Sequence, residues 1–339
     1  MVAAKVSDLK LLDVLIVGCG NIAGGFDANR PLSDLPLTHA GAFSRNPGFA
    51  LAACVEPNDA KREAFMARWN IPTGFANLTQ AIAANLRPKV VSICSPTAAH
   101  ANDIQTALAL KPRIIFCEKP ITMSAAETEH WVNTCQQSGV LLAVNHTRRW
   151  APDVVRLKTM LDSGEWGRLR SLNAVYNKGI LNNGGHMIDL VQYLAGPLTV
   201  LCAGMPVHDH WSDDPTVPAL MSTAEGVPFS LNIAHASDYA MFELELVMAN
   251  GVLTMENGGM NWRIRRTIQS PYFQGYHSLG PAAETAGEYP LAMSAAVANL
   301  YGAATCGEPL ASNGVSALSA QRICQKIREA AVAPQEKPI

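Results

Sequence analysis

An apolar run that ends in closely spaced glycines lies near the start of the chain and constrains the fold more than any other stretch. The sequence DVLIVGCGNIAGG covers residues 13–25, with Gly18 directly after the apolar run and Gly20 two positions later. Gly18 can adopt backbone angles that a side chain forbids, and Gly20 leaves room for a pyrophosphate against the backbone. The pattern predicts a strand, a tight turn and a helix start whose amides face an anion. An ordinary strand-to-helix corner has the same pattern, but its place at the head of a βαβ run favours a dinucleotide site that includes Gly18, Gly20, Asn21 and Ile22.

The second predicted strand, Ala50–Val55, ends on an acidic residue. Glu56 stands where a dinucleotide fold places a carboxylate against the adenosine ribose, although a surface-loop glutamate is the alternative. It follows Gly18 by 38 positions rather than the usual separation of about 20. We attribute the excess to a loop insertion rich in Pro and Asp, placed before a helix over Thr38–Arg45. Because a carboxylate repels a 2′-phosphate, Glu56 favours NAD over NADP.

Strands and helices alternate over the rest of the first half of the chain. The pattern predicts a doubly wound parallel sheet, the α/β architecture of a Rossmann domain. The predicted elements are a helix over Asp59–Trp69, a strand over Thr73–Phe75, a helix over Leu78–Asn85 and a strand over Val90–Cys94.

Two polar segments follow predicted strands, at the sheet edge where such folds bind ligands. SPTAAH follows Cys94, and the strand IIFC runs directly into Glu118, Lys119 and Pro120. An exposed helical histidine and a salt-bridged strand end are the alternative interpretations. The cofactor-binding candidates from these segments are Ser95, Pro96, Thr97, His100, Glu118 and Lys119.

The ordered motifs GCGNIAG, CVEPN, SICSPTAAH and CEKP resemble those of the glucose-fructose oxidoreductase, inositol dehydrogenase and rhizopine-catabolism family, abbreviated Gfo/Idh/MocA. The resemblance covers about Leu12 to Ala331. It implies that Lys119 lies between nicotinamide and substrate and that Glu118 and Pro120 support it. It also implies an NAD(P)-binding Rossmann domain over residues 1–148 and a substrate-binding, oligomerising α+β domain over 149–333.

In the second half of the chain, apolar and polar residues alternate with a period of two residues. This alternation predicts an open, mainly antiparallel sheet. MFELELVM alternates over Met241–Met248, Asn250–Gly251 is the predicted hairpin turn, and VLTMENG leads back. Helices over Leu291–Cys306 and Val315–Ala331 close the chain and can pack back on the first domain. We expect a homodimer or homotetramer through the sheet face that helices leave open, because several apolar residues lie along these strands: Val247, Met248, Val252, Leu253 and Ile264.

The segment GILNNGGHMIDLVQYLAG, residues 179–196, leads into an apolar helix that starts near His186. A capping histidine is the alternative interpretation. The family resemblance assigns His186, with Lys119, to the transfer of the hydroxyl proton, a role that suits a side chain titrating near neutrality. Many relatives have an aspartate where this chain has Asn182, and an amide is no general base. The predicted substrate-binding residues are Asn145, Arg149, Tyr176, Asn182, Asn183 and His186.

Three functions are compatible with these residues. The first is an NAD(H)-dependent dehydrogenase that oxidises a secondary alcohol of a sugar, sugar derivative or cyclitol, with hydride passing to nicotinamide C4. The second is an NAD-dependent glycosidase that uses transient oxidation. The third is a catalytically silent dinucleotide sensor, which the presence of Lys119 and His186 disfavours.

The amino-acid composition limits the kinds of molecule that the protein is expected to bind. The 339 residues are 48% hydrophobic with a net charge of -2, which disfavours an electrostatic nucleic-acid binder. The sequence has no uncharged apolar run of about 18 residues, so we expect no membrane span. The eight cysteines are scattered without C-x-x-C spacing, which is typical of a reducing cytoplasm, and no zinc site is predicted.

Overall fold

The computed structural model describes residues 10–31 and 33–332. These residues divide into two compact units, each described separately below. The first unit contains the residues up to Trp150 together with Pro290–Leu318, and the second contains Ala151–Tyr289 together with the residues from Ser319 onward. The chain therefore changes unit near Trp150, and the helical segment after Pro290 belongs to the first unit.

The first unit is built on a six-stranded parallel sheet with the strand order β3-β2-β1-β4-β5-β6. This is the predicted doubly wound Rossmann arrangement. The strands are β1 (Leu12–Val17), β2 (Phe49–Val55), β3 (Thr73–Phe75), β4 (Val90–Ile93), β5 (Ile114–Cys117) and β6 (Leu141–Val144). The helices among them are α1 (His39–Arg45), α2 (Asp59–Trp69), α3 (Leu78–Ala83), α4 (Thr97–Leu108) and α5 (Ala125–Gln137).

The second unit contains a nine-stranded sheet with the order β14-β13-β12-β11-β7-β10-β9-β8, and β15 pairs with β13. Only the β7–β10 pair is parallel among the pairs described, so the predicted open, mainly antiparallel sheet is confirmed. The helices are α6 (Pro152–Asp162) and α7 (Gly185–Ala195). The strands are β7 (Leu169–Tyr176), β8 (Leu198–Ala203), β9 (Ala219–Thr223), β10 (Pro228–Ile233), β11 (Phe242–Met248), β12 (Gly251–Glu256), β13 (Asn261–Gln269), β14 (His277–Leu279) and β15 (Ala283–Ala286).

Two longer helices, α8 (Ala292–Cys306) and α9 (Gly314–Val332), close the described chain. Five short helical segments complete it: a π-helix over Gly179–Gly184 and 3-10 turns over Gly25–Asp27, Thr147–Trp150, Asn257–Gly259 and Tyr289–Leu291. No helix in the described ranges has the length and apolar character needed to cross a membrane.

The first sheet separates two hydrophobic cores. Val14 and Ile16 face one core, which also contains Met293 and Leu300 of α8, whereas Leu15 and neighbouring residues face the other. Because alternate side chains of a strand point to opposite faces, a strand that is buried on both faces reads as an unbroken apolar run. This double burial explains the apolar sequence that precedes Gly18.

The hairpin between β11 and β12 differs by one position from its prediction. Met248 pairs with Gly251, so the two loop residues are Ala249 and Asn250, and Gly251 is the first residue of the returning strand. A Cβ on Gly251 would clash with the Arg265 carbonyl of β13. The glycine therefore serves the approach of a neighbouring strand rather than the turn.

The open face of the second sheet is not the apolar surface that the sequence predicts. Met248 and Leu253 are buried with the face that packs on α6, and Ile264 pairs with Leu253 on that same face. Of the five apolar residues named above, only Val247 and Val252 lie on the opposite face. That face is polar, and it carries hydrogen-bonded pairs between Asn173 and Glu245 and between Arg263 and Glu256.

Candidate active site

The carboxyl ends of β1 and β4 meet at the point where the strand order of the first sheet reverses, which is where such sheets bind ligands. Gly18, directly after β1, has φ +86°. A Cβ at this position would lie 2.7 Å from the Ser95 nitrogen in the loop after β4, so only glycine fits. A Cβ on Gly20 would meet no atom within 4 Å, so the backbone there borders open space. These residues fit the cradle that a dinucleotide pyrophosphate requires.

The helix predicted directly after Gly20 is not a regular α-helix. Residues 21–24 form turns, Gly25–Asp27 is a 3-10 turn, and the α-helix starts only at His39. Asn21 is exposed and Ile22 half-buried in this turn. The physical reason is the insertion, which enters the helix itself rather than the loop after it.

Two hydrogen bonds show where the helix is interrupted. The Ile22 carbonyl accepts from the His39 amide at 3.2 Å, and the Ala23 carbonyl accepts from the Ala40 amide at 2.8 Å. In an uninterrupted helix those bonds would come from residues 26 and 27. Residues 26–38 are thus spliced into the first helix, which accounts for the long separation between the glycine loop and the end of β2.

Asp27 closes the inserted loop. This fully buried carboxylate accepts from the Leu37 amide at 2.9 Å, the Thr38 amide at 2.9 Å and the Thr38 hydroxyl at 2.6 Å. Thr38 then caps α1 by accepting from the Gly41 amide at 3.1 Å. The loop therefore returns the chain to the helix axis and fixes His39 in the first turn of α1.

Glu56 lies beside the glycine loop. One carboxylate oxygen accepts from the Cys19 amide at 3.1 Å and the other from the Asn58 amide at 3.1 Å. The carboxylate therefore braces the loop after β1, and each oxygen keeps a further lone pair that can accept a bond.

The loop after β4 is tied to the loop after β5. One ring nitrogen of His100 lies 2.8 Å from the Ser95 carbonyl oxygen and the other lies 3.0 Å from the Pro120 carbonyl oxygen. The Ser95 hydroxyl donates to Asp103 at 2.6 Å. Pro96 precedes α4 and Thr97 begins it. Because His100 is only 1% exposed, its imidazole fixes the two loops to each other, and it is not placed to contact a cofactor as predicted.

Glu118, at the end of β5, is the centre of a buried polar network. Its Oε1 lies 2.9 Å from His39 Nε2 and accepts from the Asn145 amide group at 2.7 Å. Its Oε2 accepts from the Lys119 backbone amide at 3.3 Å. The other ring nitrogen of His39 lies 2.7 Å from the Ser92 hydroxyl. Residues from α1, β4 and the end of β6 thus form a network around Glu118, and Glu118 in turn accepts from the Lys119 backbone.

The network contains an ion pair. Burial lowers the pKa of His39, but the Cys94 sulfur and the Glu118 carboxylate outweigh burial and raise that pKa to about 10. Burial likewise raises the pKa of Glu118, but His39, Asn145 and the Lys119 ammonium outweigh it and bring that pKa to about 2. At neutral pH the imidazolium and the carboxylate therefore balance each other's charge.

In the second unit, the segment before α7 is held through its backbone. Asp214 accepts from the amides of Leu181 and Asn182, each at 2.9 Å. Gly179 has φ +85°, and a Cβ there would clash with the Asp214 carboxylate. The Asn182 side chain donates to the Lys178 carbonyl at 3.0 Å. These bonds shape the π-helical segment that leads into His186. We call residues 178–186 the substrate loop, after the substrate contacts that the sequence predicts there.

A second carboxylate holds the start of the substrate loop. Asp209 accepts from the Lys178 amide at 3.1 Å and from the Thr216 hydroxyl at 2.6 Å, and that hydroxyl accepts from the Gly179 amide at 2.8 Å. Burial would raise the pKa of Asp209, but these bonds outweigh it and lower the pKa. Asn183 and His186, further along the loop, are half-buried.

Comparison with known proteins gives a family match in the first unit. Residues 12–146 match the model of the oxidoreductase family with an NAD-binding Rossmann fold, GFO_IDH_MocA. The uncharacterized oxidoreductase YrbE of Bacillus subtilis is 42% identical over 77 residues, 23% of this chain and 22% of that protein. The inositol 2-dehydrogenase of Rhizobium meliloti is 25% identical over 240 residues, 65% of this chain and 72% of that protein.

The solved structures extend the likeness to the second unit. KijD10, a 3-ketoreductase from Actinomadura kijaniata in complex with NADP and TDP-benzene, superposes with a TM-score of 0.73 at 19% identity, over 95% of this chain and 98% of that one. The part of this chain that matches the Gfo/Idh/MocA oxidoreductase family is residues 12–146, within the first unit. The matched family model describes an NAD-binding Rossmann fold, so the cofactor class is a nicotinamide dinucleotide.

Three of the predicted substrate-binding residues have polar side chains that make contacts within the protein. Tyr176 is fully buried, and its hydroxyl donates to the Val217 carbonyl and accepts from the Val217 amide, each at 2.9 Å, so it is a core residue. Asn145 is 3% exposed and committed to Glu118. Arg149 is 9% exposed and donates to the Ala311 carbonyl at 3.4 Å. We therefore propose no substrate contact for these three residues, because each side chain already has a contact within the protein.

Sequence reasoning missed four residues that shape these two regions: His39, Ser92, Asp209 and Asp214. The sequence signal for His39 is its place next to Thr38 at the predicted helix start, and the insertion separates it from the glycine motif. Asp209 and Asp214 come from the connection between β8 and β9, for which the sequence shows no motif. Among the described residues, no cluster of three or more His, Cys, Asp or Glu side chains could hold a metal ion.

Proposed function

We propose that this protein is an NAD(H)-dependent oxidoreductase that acts on a secondary alcohol of a sugar, sugar derivative or cyclitol. The observation that carries the proposal is the position of Lys119, directly after β5 at the ligand-binding edge of a Rossmann sheet, with its backbone held by Glu118. A lysine at such an edge can exchange a proton with a hydroxyl whose carbon loses hydride. This chain matches 22% of the length of YrbE and 72% of the length of the inositol 2-dehydrogenase.

The glycine loop would hold the dinucleotide. Gly18 and Gly20 would border its pyrophosphate, Asn21 and Ile22 would lie beside it, and Glu56 would accept bonds from the adenosine ribose. When bound, the nicotinamide supplies the group that accepts or donates hydride. The segments Ser95–Thr97 and Glu118–Lys119 would border the nicotinamide half. Since a 2′-phosphate beside the Glu56 carboxylate would meet like charge, we propose NAD rather than NADP.

Lys119 and His186 would handle the hydroxyl proton. We propose both because each can hold or release a proton near neutral pH once its surroundings adjust it, whereas the amide of Asn182 cannot. Asn182 would instead accept or donate a hydrogen bond to a neighbouring hydroxyl, and Asn183 would do the same. The name of the inositol 2-dehydrogenase among the relatives is consistent with this chemical class, because inositol is a cyclitol.

A turnover screen tests the proposed activity. The protein is incubated with NAD or NADP and a panel of sugars, cyclitols and nucleotide sugars, and absorbance at the wavelength of the reduced nicotinamide is followed. We expect reduction of NAD with at least one polyol that has a free secondary hydroxyl. Release of aryl alcohol from an aryl glycoside, with no net reduction of NAD, would favour the glycosidase, and binding of NAD with no turnover of any compound would favour the silent sensor.

We also propose a homodimer or homotetramer that uses the open face of the second sheet. The polar face of the second sheet presents carboxylate and guanidinium groups on neighbouring strands, such as Glu256 with Arg263, rather than an apolar surface. Such a face can pair with a second copy through complementary charges, which predicts an assembly that weakens with salt. Light scattering at low and high ionic strength measures this, and a monomer at micromolar concentration in low salt would contradict it.

A further inference from the structure

We infer that His39 is a positioning residue for Lys119: its positive charge balances Glu118, so that the ammonium of Lys119 is not paired with an uncompensated carboxylate. The inference deepens the proposed function, on which it rests. It gives a role to a buried histidine from the first helix, which lies outside every motif considered above.

Contacts to both ring nitrogens and to the ring face hold the imidazole of His39 in place. The side chain is fully buried, one ring nitrogen contacts Glu118 Oε1 at 2.9 Å and the other contacts the Ser92 hydroxyl at 2.7 Å. Its ring packs on Phe116 with centroids 4.5 Å apart. A histidine held on all sides in this way cannot swing out to contact a ligand, so it can act on the site only through Glu118.

The His39 side chain directly contacts the Glu118 carboxylate, and other titratable groups lie around the pair. From the end of β4, Cys94 lies 3.6 Å from the Ser92 hydroxyl. From β5 come the Cys117 thiol, whose pKa burial raises well above its usual range, and the Lys119 ammonium. The residue from β6 is the neutral Asn145. Replacing His39 by a neutral side chain would therefore leave Glu118 with Lys119 as its remaining counter-charge.

That change has a direct consequence for proton transfer. A carboxylate within about 4–6 Å of an amine favours the ammonium and raises its pKa by roughly 1–3 units. Lys119 must be neutral to accept the hydroxyl proton during alcohol oxidation. Loss of the His39 charge should thus move the acid limb of the pH profile of kcat to higher pH. Loss of both the His39 and the Glu118 charges should bring that limb back to its wild-type position.

The kinetic test compares the wild type with H39Q, with the double variant H39Q/E118Q and with a control, H130Q. His130 is an exposed residue of α5 that contacts Trp131 and has no part in the network. We expect the acid limb to rise by about 1 pH unit in H39Q, to return close to the wild-type value in the double variant, and to stay in place in H130Q. An unmoved limb in folded H39Q, or a double variant that remains shifted, would overturn the inference.

A titration without cofactor or substrate separates this inference from the proposed function. Reductive methylation with ¹³C-formaldehyde labels the lysines, and the signal missing from K119A identifies Lys119. We expect the pH midpoint of the Lys119 titration to rise in H39Q and to return to the wild-type value in H39Q/E118Q. If the wild type oxidises no alcohol, the proposed function fails while this titration still decides the role of His39.

A third measurement needs no replacement of His39, in case H39Q does not fold. The ring resonances of His39 are followed with pH in the wild type and in E118Q. We expect His39 to stay protonated through pH 8 in the wild type and to titrate at least one unit lower in E118Q. Titration of the wild-type ring near its ordinary value of about 6.5 would overturn the inference.

Discussion

The ligand edge of the first unit and the substrate loop of the second are held by different kinds of bond. At the first, side chains bind side chains: His39, Glu118 and Asn145 come from separate elements and meet in a buried network. At the second, carboxylates bind backbone: Asp209 and Asp214 accept from the amides of the loop itself. The first region therefore fixes charges, and the second fixes the path of the chain.

The difference predicts how each region fails. Removing a charge from the first region leaves its partner buried and unbalanced, which should change both stability and proton transfer. Removing a carboxylate from the second region frees a loop, which should change how well a substrate is held. We therefore expect catalytic chemistry to depend on the buried network and substrate selection to depend on the substrate loop.

Replacing the proposed proton-transfer residues should have the largest effect. Lys119→Ala and His186→Ala should each lower kcat by roughly 10² to 10⁴, because a positioned acid or base contributes about that much. NAD affinity should stay near the wild-type value. Steady-state kinetics with a cofactor titration as control measures both, and near-normal kcat in both variants would contradict the assignment.

The buried ion pair should make the stability of the first unit depend on pH. The pKa of His39 is raised to about 10, so its contribution is complete below about 6.5 and is lost as pH rises through about 10. The pKa of Glu118 is lowered to about 2, so its contribution holds above about 4.5 and is lost as pH falls through about 2. His39→Gln should cost roughly 3–5 kcal/mol of unfolding free energy near pH 6, since it leaves a buried carboxylate unpaired.

Urea unfolding at pH 6 and at pH 10 measures that loss. The difference between wild type and His39→Gln should be larger at pH 6, because the wild type has lost its imidazolium contribution at the higher pH. A difference that does not change with pH would show that packing of the ring, rather than its charge, stabilises the unit.

Weakening the support of the substrate loop should act on substrate binding. In Asp214→Asn one of the two carboxylate acceptors becomes an NH₂ donor that faces a backbone amide. We expect KM for the alcohol to rise by an amount equivalent to roughly 1–3 kcal/mol, with NAD affinity kept. The neighbouring exposed residue offers a matched control, Asp213→Asn, which should behave as wild type. An unchanged KM in Asp214→Asn would mean that the loop holds its shape without this carboxylate.

The smallest expected effect concerns the choice of cofactor. Glu56→Gln removes the negative charge while keeping one acceptor oxygen, so the preference for NAD over NADP should fall by about tenfold. Titration of both cofactors measures the ratio. Tighter binding of NADP by the wild type would show that Glu56 only braces the Cys19 amide.

Much of this protein could be predicted from local sequence. Gly18 was identified because one backbone conformation demands it, and the strands were identified because burial on both faces leaves an unbroken apolar run. Lys119 and Glu118 were identified because polar residues directly after such a strand must lie at the edge of the sheet. These inferences need only a few neighbouring residues and the period of the side chains.

Only the tertiary structure decided which polar residues are consumed inside the protein. Asn145, Arg149 and Tyr176 have the chemistry of ligand-binding residues, but contacts with Glu118, Ala311 and Val217 commit their polar groups to the interior. His39 shows the reverse case. The insertion separates it from the glycine motif in the sequence, but the fold brings it into contact with Glu118. Hydrogen bonds between residues distant in sequence depend on how the elements pack, and no local pattern of residues contains that information.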